Sequence, residues 1–329
     1  MKSLLHAATH FRLGLVPPGV GGVNVDDYPS KPLRFIVPFA AGGPGDILAR
    51  LLGRNLQESW GQPVIVENYP GSGGIRGSEI GAKFPADGYT LILAASTHAI
   101  NPSLYSGLPY DTVRDFQPVT LMISMPNILV VNTSVPVDTI EDIIAFMKSR
   151  PGQLKYASGG FGTPSHLGAE LLKVMTGVDI VHVPYKGHAD AGAALLKGEV
   201  SMMFDAILLA LPEITAGRIK ALAVTSAKRS AAAPGVRTIA ESGIPDFDFS
   251  PGVGVLVRGG TATAIVRKLQ MEIARILRLP DVRERLAADG AEIVASTPEE
   301  FSAYIEKEIP KWANVVKASG IQLQSVSRS

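Results

Sequence analysis

Twice along the chain a short apolar run stops at a glycine-rich elbow and restarts as an amphipathic helix. In residues 33–56 the run is Leu33, Phe35, Ile36, Val37 and Phe39. The elbow occupies residues 40–45, Asp46 reads as a helix N-cap, and Ile47, Leu48, Leu51, Leu52 and Leu56 follow at helical spacing. In the second unit Leu154, Tyr156 and Ala157 lead into residues 158–166 (SGGFGTPSH), and Leu167, Leu171, Val174 and Met175 share one helical face. Units of this kind build parallel sheets with helices over their faces. Each elbow aims backbone N–H groups and the positive end of a helix at one point, which makes an anion site. The other reading is a plain strand-to-helix connection.

The 329 residues are enough for two cores. Strands are expected at 64–66, 89–94, 127–131, 180–183, 200–204, 219–224 and 249–257, the last interrupted by Pro251 and Gly252. Helices are expected at 78–84, 139–148, 264–277 and 296–318, with Pro310 kinking or splitting the last. Thr297, Pro298, Glu299 and Glu300 form its start: a cap, a first-turn proline, then acids favoured by the dipole. A second glycine cluster, residues 70–77, encloses Arg76, and strand 89–94 opens into a polar loop at 96–102. Two similar α/β lobes facing across a cleft follow from this pattern, the second inserted in the first. Residues 1–27 read as a degenerate leader, a misassigned start or a loose tail, because His6, His10 and Arg12 break the apolar run a secretory leader needs.

The chemistry-bearing motifs of common enzymes are missing. Neither elbow carries the lysine and hydroxyl of a phosphate-cradling loop. Gly160, Phe161 and Gly162 begin a dinucleotide fingerprint, but Ser165 stands in place of its third glycine. There is no G-x-S-x-G, and no acid cluster joins His182 and His188 into a metal site. Without cysteine there is no thiolate chemistry, and a net charge of +1 leaves no nucleic-acid footprint. No uninterrupted apolar window is long enough to span a membrane. Binding fits better, since backbone donors suit a carboxylate. Ser96, Thr97, Ser158, Thr163 and Ser165 add hydroxyls. Arg76 is either solvent-exposed or a clamp on a second carboxylate. Asp205 is either a ligand contact at a strand end or a cap for residues 206–211. His98 and Asn101 either brace their own loop or touch ligand. Phe161 is a wall or a plug. Tyr185 and Lys186 close another strand, Lys186 being read as solvated surface.

The blocks PFAAGGPGD, ENYPGSGGIRG, DGYTLIL, HAINPSLY, LPYDTVRDFQPV, YASGGFGTPSHL, HVPYKG, MMFD, LAVTSAKR and STPEEF occur in this order. Together, over residues 28–322, they resemble the Bug family, the extracytoplasmic receptors of tripartite tricarboxylate transporters. The resemblance implies a two-lobed, Venus-flytrap α/β fold of the type II periplasmic-binding-protein class. Lobe 1 would be residues 28–129 and 250–329, lobe 2 residues 130–249, with crossovers near 126–132 and 247–252. It implies a carboxylate held between the elbows, with Asp205 and ordered waters nearby. The candidate binding residues are Phe39, Ala41, Gly42, Gly43, Gly45 and Asp46; Arg76; Ser96, Thr97 and His98; Ser158, Gly160, Phe161, Gly162, Thr163, Ser165 and His166; Tyr185; and Asp205. The implied protein is a periplasmic monomer that uses no cofactor or metal, performs no chemistry, and delivers a di- or tricarboxylate, amino acid or aromatic acid to membrane permease subunits. Other readings on the same scaffold are a cytoplasmic sensor and an enzyme acting on a small acid. Three departures stand out. Gly45 replaces a usual threonine or serine. Ser250, Pro251 and Gly252 replace bulkier residues, which suggests a roomier site. Thr261 lacks the proline that usually follows it.

Overall fold

The computed structural model describes residues 25–326. The leader expectation lies outside the described residues, save for Val25–Asp27, one turn of 3-10 helix. The first lobe opens with β1 (Leu33–Val37), α1 (Pro44–Trp60), β2 (Val64–Asn68), α2 (Ile75–Ala82), β3 (Thr90–Ala95), α3 (Thr97–Leu104), β4 (Tyr105–Ser106) and β5 (Phe116–Ser124). The second holds β6 (Asn127–Asn132), α4 (Ile140–Ser149), β7 (Lys155–Ser158), α5 (Pro164–Thr176), β8 (Val181–Pro184), α6 (His188–Leu196), β9 (Met202–Ala206), α7 (Ile207–Thr215) and β10 (Ile219–Val224). The chain then returns through β11 (Gly252–Arg258), α8 (Thr263–Leu277), α9 (Pro280–Ala288), β12 (Glu292–Ile293), α10 (Pro298–Ser319) and β13 (Gln324–Ser325).

The two large sheets repeat one plan. The first runs β12-β5-β11-β3-β1-β2 and the second β10-β6-β9-β7-β8. In each, three strands are parallel: β2, β1 and β3, and β8, β7 and β9. A strand entering from the other lobe, β11 or β6, joins the third of these antiparallel. Each elbow therefore leaves the C-terminal end of a central strand, where α/β sheets present ligand groups. β1, fully apolar at Phe35, Ile36 and Val37, is buried on both faces as a central parallel strand requires.

Several expectations are corrected. The first crossover passes through Met125 and Pro126, so residues 127–129, assigned above to lobe 1, begin β6 of lobe 2. Residues 97–104 are helix rather than polar loop: Ile100 and Leu104 are wholly buried and α3 packs against α10, so tertiary burial overrides weak propensity. Pro251 and Gly252 stand at the start of β11 rather than interrupting it. α10 continues through Pro310 as one helix. That proline and Glu306, whose carbonyl loses its partner, both face solvent, while Phe301, Ile305, Trp312 and Val316 anchor the opposite face. Trp312 is wholly buried, donates from Nε1 to Glu308 Oε2 at 2.7 Å, and meets the Phe249 ring edge-on at 5.0 Å, tying α10 to the return crossover.

α4 starts with a reciprocal capping box. Thr139 Oγ1 accepts from the Asp142 N–H at 3.0 Å and Asp142 Oδ2 accepts from the Thr139 N–H at 3.1 Å. Thr139→Ala is expected to lower stability by about 1 kcal/mol in urea unfolding; a loss under a few tenths would mean water replaces the cap.

Candidate functional site

The elbows are matched position by position. In both, an extended cap residue (Gly43, Thr163) precedes a proline at the first helical position (Pro44, Pro164). Two residues later comes a side chain, Asp46 or His166, that reaches back four residues to a glycine N–H. Asp46 Oδ2 accepts from Gly42 at 2.9 Å, and His166 Nδ1 accepts from Gly162 at 3.1 Å. Both glycines sit in the left-handed region, φ +80° and +76°. With those N–H groups tied down, the turns are held rigid and others are left over. The N–H groups of Gly43 and Gly45, and of Phe161 and Ser165, take no acceptor among the described residues, and all four residues line the cleft. They lie at the N-termini of α1 and α5, where the helix dipole favours negative charge.

The cleft is one cavity of about 960 Å³. Phe39, Ala41, Gly42, Gly43 and Gly45 line it from lobe 1, with the glycine cluster from Pro70 to Gly74 beside them. Gly160, Phe161, Thr163, Ser165, Tyr185 and Asp205 line it from lobe 2, and Met125, Asn127, Pro251 and Val253 form the crossover wall. The lobes approach each other at two places along the cavity lining. A Cβ on Gly187 would lie 3.7 Å from Ala40 Cβ, and one on Gly73 would lie 3.1 Å from the Phe161 carbonyl.

The remaining candidates lie outside the lining. Asp46, rather than capping α1 itself, is buried behind the elbow. Burial would raise its pKa, but Arg50 on both carboxylate oxygens (3.0 and 3.1 Å), the Gly42 N–H and Asn68 at 3.0 Å outweigh this and hold it below the usual carboxylate range. Arg76 is exposed on α2 and runs past Gly71 outside the cavity, so the structure does not place it as a clamp. Ser96, Thr97 and His98 are buried in and before α3. His98 Nε2 donates to the Thr112 carbonyl, 3.0 Å away, between Tyr110 and Phe116. Ser158 Oγ binds His182 Nε2 at 2.6 Å and receives the Gly160 N–H at 3.2 Å. His166 stacks on His182 with ring centres 4.1 Å apart, beneath the second elbow. Ser158 and His166 hold the second elbow, which faces the cavity, as Asp46 holds the first. Gly45 is bare for a packing reason: a Cβ there would stand 2.8 Å from Leu93 Cδ2, so Leu93 occupies the place that the matching Ser165 side chain fills in lobe 2.

His188 lines the cavity although the sequence reading does not name it as a binding group. It opens α6 just beyond Gly187, at a strand-to-helix junction like the two elbows, which was the available signal. Its Nε2 lies 2.5 Å from Asp205 Oδ1, an ion-pair contact rather than an in-line hydrogen bond. Burial would lower the imidazole pKa; the Asp205 carboxylate outweighs it and holds the pKa above the ordinary histidine value. Asp205 is thus engaged across the lobe and does not cap α7, whose N-cap is Ala206. Among the described residues, no three His, Asp or Glu side chains converge as a metal would need.

Residues 48–321 match the model of the tripartite tricarboxylate transporter family receptor. Protein BugT of Bordetella pertussis is 40% identical over 304 residues, 92% of this chain and 93% of BugT. Two solved structures share the fold: R. palustris Rpa4515 with adipate (36% identity, TM-score 0.87, 91% of this chain and all of that one) and Rhodopseudomonas palustris MatC with bound malate (33%, 0.82, 88% and 100%). With two matched sheets, two matched elbows and one cleft between them, the chain belongs to the tripartite tricarboxylate transporter receptor family.

Proposed function

We propose that this protein is a periplasmic, monomeric receptor that captures a small carboxylate between its lobes and hands it, unaltered, to the membrane permease subunits of a tripartite transporter. The carrying observation is the pair of elbows: each offers unspent N–H groups at a helix N-terminus to the same cavity, which is carboxylate-binding chemistry. Adipate in Rpa4515 and malate in MatC support the ligand class. The ligand's carboxylate bridges the N–H groups of Gly43 and Gly45 and those of Phe161 and Ser165, directly or through water, with Thr163 and Ser165 hydroxyls beside it. Among the described residues no helix is long and apolar enough to cross a membrane; the membrane partner is drawn from the family, whose receptors serve a tripartite transporter.

A panel of mono-, di- and tricarboxylates and aromatic acids tests this by thermal shift. An acid at ten times its dissociation constant should add about 1.4 kcal/mol of stability and be recovered unchanged. A folded sample that shifts with none of them sinks the reading; consumption of the acid favours an enzyme. Recovery of the protein in the cytoplasmic rather than the periplasmic fraction favours a sensor.

A further inference from the structure

The cavity does not end at the elbows. α6 and α7 both pack across β6 and β9, and both start at the cleft and run away from it. Between them the same cavity continues as a groove. Gly192, Ala193 and Leu196 of α6 form one wall, Leu209 and Glu213 of α7 the other, and Ile219 lies at its far end. The small residues make the room: a Cβ built on Gly192 would meet no atom within 4 Å. From His188 to Leu196 the groove runs roughly 12 Å at 1.5 Å per residue. At about 960 Å³ the whole cavity is near the upper end of ligand pockets, far more than a four-carbon acid fills.

Resting on the reading that a carboxylate sits between the elbows, we propose that the α6–α7 groove takes the apolar tail of a monocarboxylic acid, an aliphatic chain of about 10 carbons given C–C bonds near 1.5 Å in zigzag. The occupant's far end is uncharged. The group lining that end is the Glu213 carboxylate, and the nearby Arg218 guanidinium is spent on it, Nε at 2.5 Å and Nη2 at 2.7 Å. A second carboxylate would face an acid there, with its natural counter-ion already used.

The test is calorimetry on the full chain with saturated monocarboxylic acids of four to twelve carbons and the α,ω-diacids of the same lengths. Monoacid affinity should climb by about fourfold per added methylene until the groove is full. Gly192→Leu projects into the open groove from a helical position that favours leucine over glycine. It should weaken decanoate at least tenfold and leave butyrate within twofold. Glu213→Gln should raise the affinity of the long diacid several-fold without changing the monoacids. Flat dependence on chain length, equal loss of butyrate and decanoate in Gly192→Leu, or long diacids that outbind monoacids in the unaltered protein each overturn the proposal. Short acids that bind without any length dependence overturn the groove alone; no binding by any acid overturns the carboxylate reading with it.

Discussion

Lowering the pH from 7 to 5 is expected to remove about 4–6 kcal/mol of stability, a large share of what a folded protein has. Three histidines carry this, His98 and His166 buried and His182 partly buried. Burial holds His98 down to about 4, against the smaller opposing effect of the Thr112 carbonyl. Burial, then His182 and Lys173, hold His166 down to about 2. Burial and then Lys173 hold His182 down to about 4. Above the unfolded value near 6.5 these rings are neutral in both states and pH has no hold on them. Below it the unfolded chain takes up a proton at each, which the folded chain refuses until far lower pH, so stability falls steadily through this window. Each ring contributes about 2 kcal/mol by pH 5. His188 works the other way. Its raised pKa gives stability that is full below about 6.5 and is lost as pH rises through the raised value, so it returns part of the loss. Asp46, held low, adds its own loss only below the carboxylate range. Urea unfolding followed by circular dichroism across pH 5–8 reads the slope directly: near pH 5.5, two to three protons should be taken up on unfolding. A slope below one proton would sink this account. His98→Phe, seated beside Tyr110 and Phe116, should remove about one proton from the slope.

The lobes, their repeated strand–elbow–helix units and the cleft were legible because each depends on local pattern. Apolar runs of strand length end at glycines, and helical periodicity begins just after. The elements that escaped are those decided by distant partners. β5 carries Gln117, Pro118 and Thr120 and does not read as a strand. Its outer neighbour β12 pairs only with Ile123 and Ser124, so Pro118 sits where no second ladder needs its N–H. α3 reads as a loop because its helical face is completed by α10, some two hundred residues away. The sites divide in the same way. Glycines and hydroxyls at the elbows line the cavity, since position in the turn suffices to aim them. Asp46, His98, Ser158 and His166 look equally suited to bind, yet Asp46, Ser158 and His166 are turned inward to hold elbow backbone, and His98 is turned onto the Thr112 carbonyl away from the cavity. Residue type cannot separate these roles; the direction of the side chain does. Arg76 misleads for the opposite reason: the glycines around it serve the loop between β2 and α2 and leave its own side chain in solvent.

Gly162→Val is expected to weaken carboxylate binding at least 100-fold, about 3 kcal/mol, while the lobes remain folded. Two costs add at this position. A branched side chain at φ +76° is strained by itself, and relieving the strain swings the Gly162 N–H off His166 Nδ1 and misaims the Phe161 and Ser165 donors beside it. The new Cβ also enters the facing lobe, 2.7 Å from Leu104 Cδ1, so the elbow presses on α3 and holds the cleft apart. The second cost falls on closure rather than on folding, because an opened cleft relieves it. Leu104→Ala removes the obstacle without touching the backbone strain. In the double variant about tenfold of the lost affinity should return, measured by calorimetry as a coupling between residues that sit on different lobes. Solution scattering distinguishes the parts: Gly162→Val should stay expanded with ligand present, and the double variant should contract. Full affinity in Gly162→Val would mean that the second elbow does not hold the ligand. A loss that Leu104→Ala leaves untouched would assign the whole effect to the turn itself and none to closure.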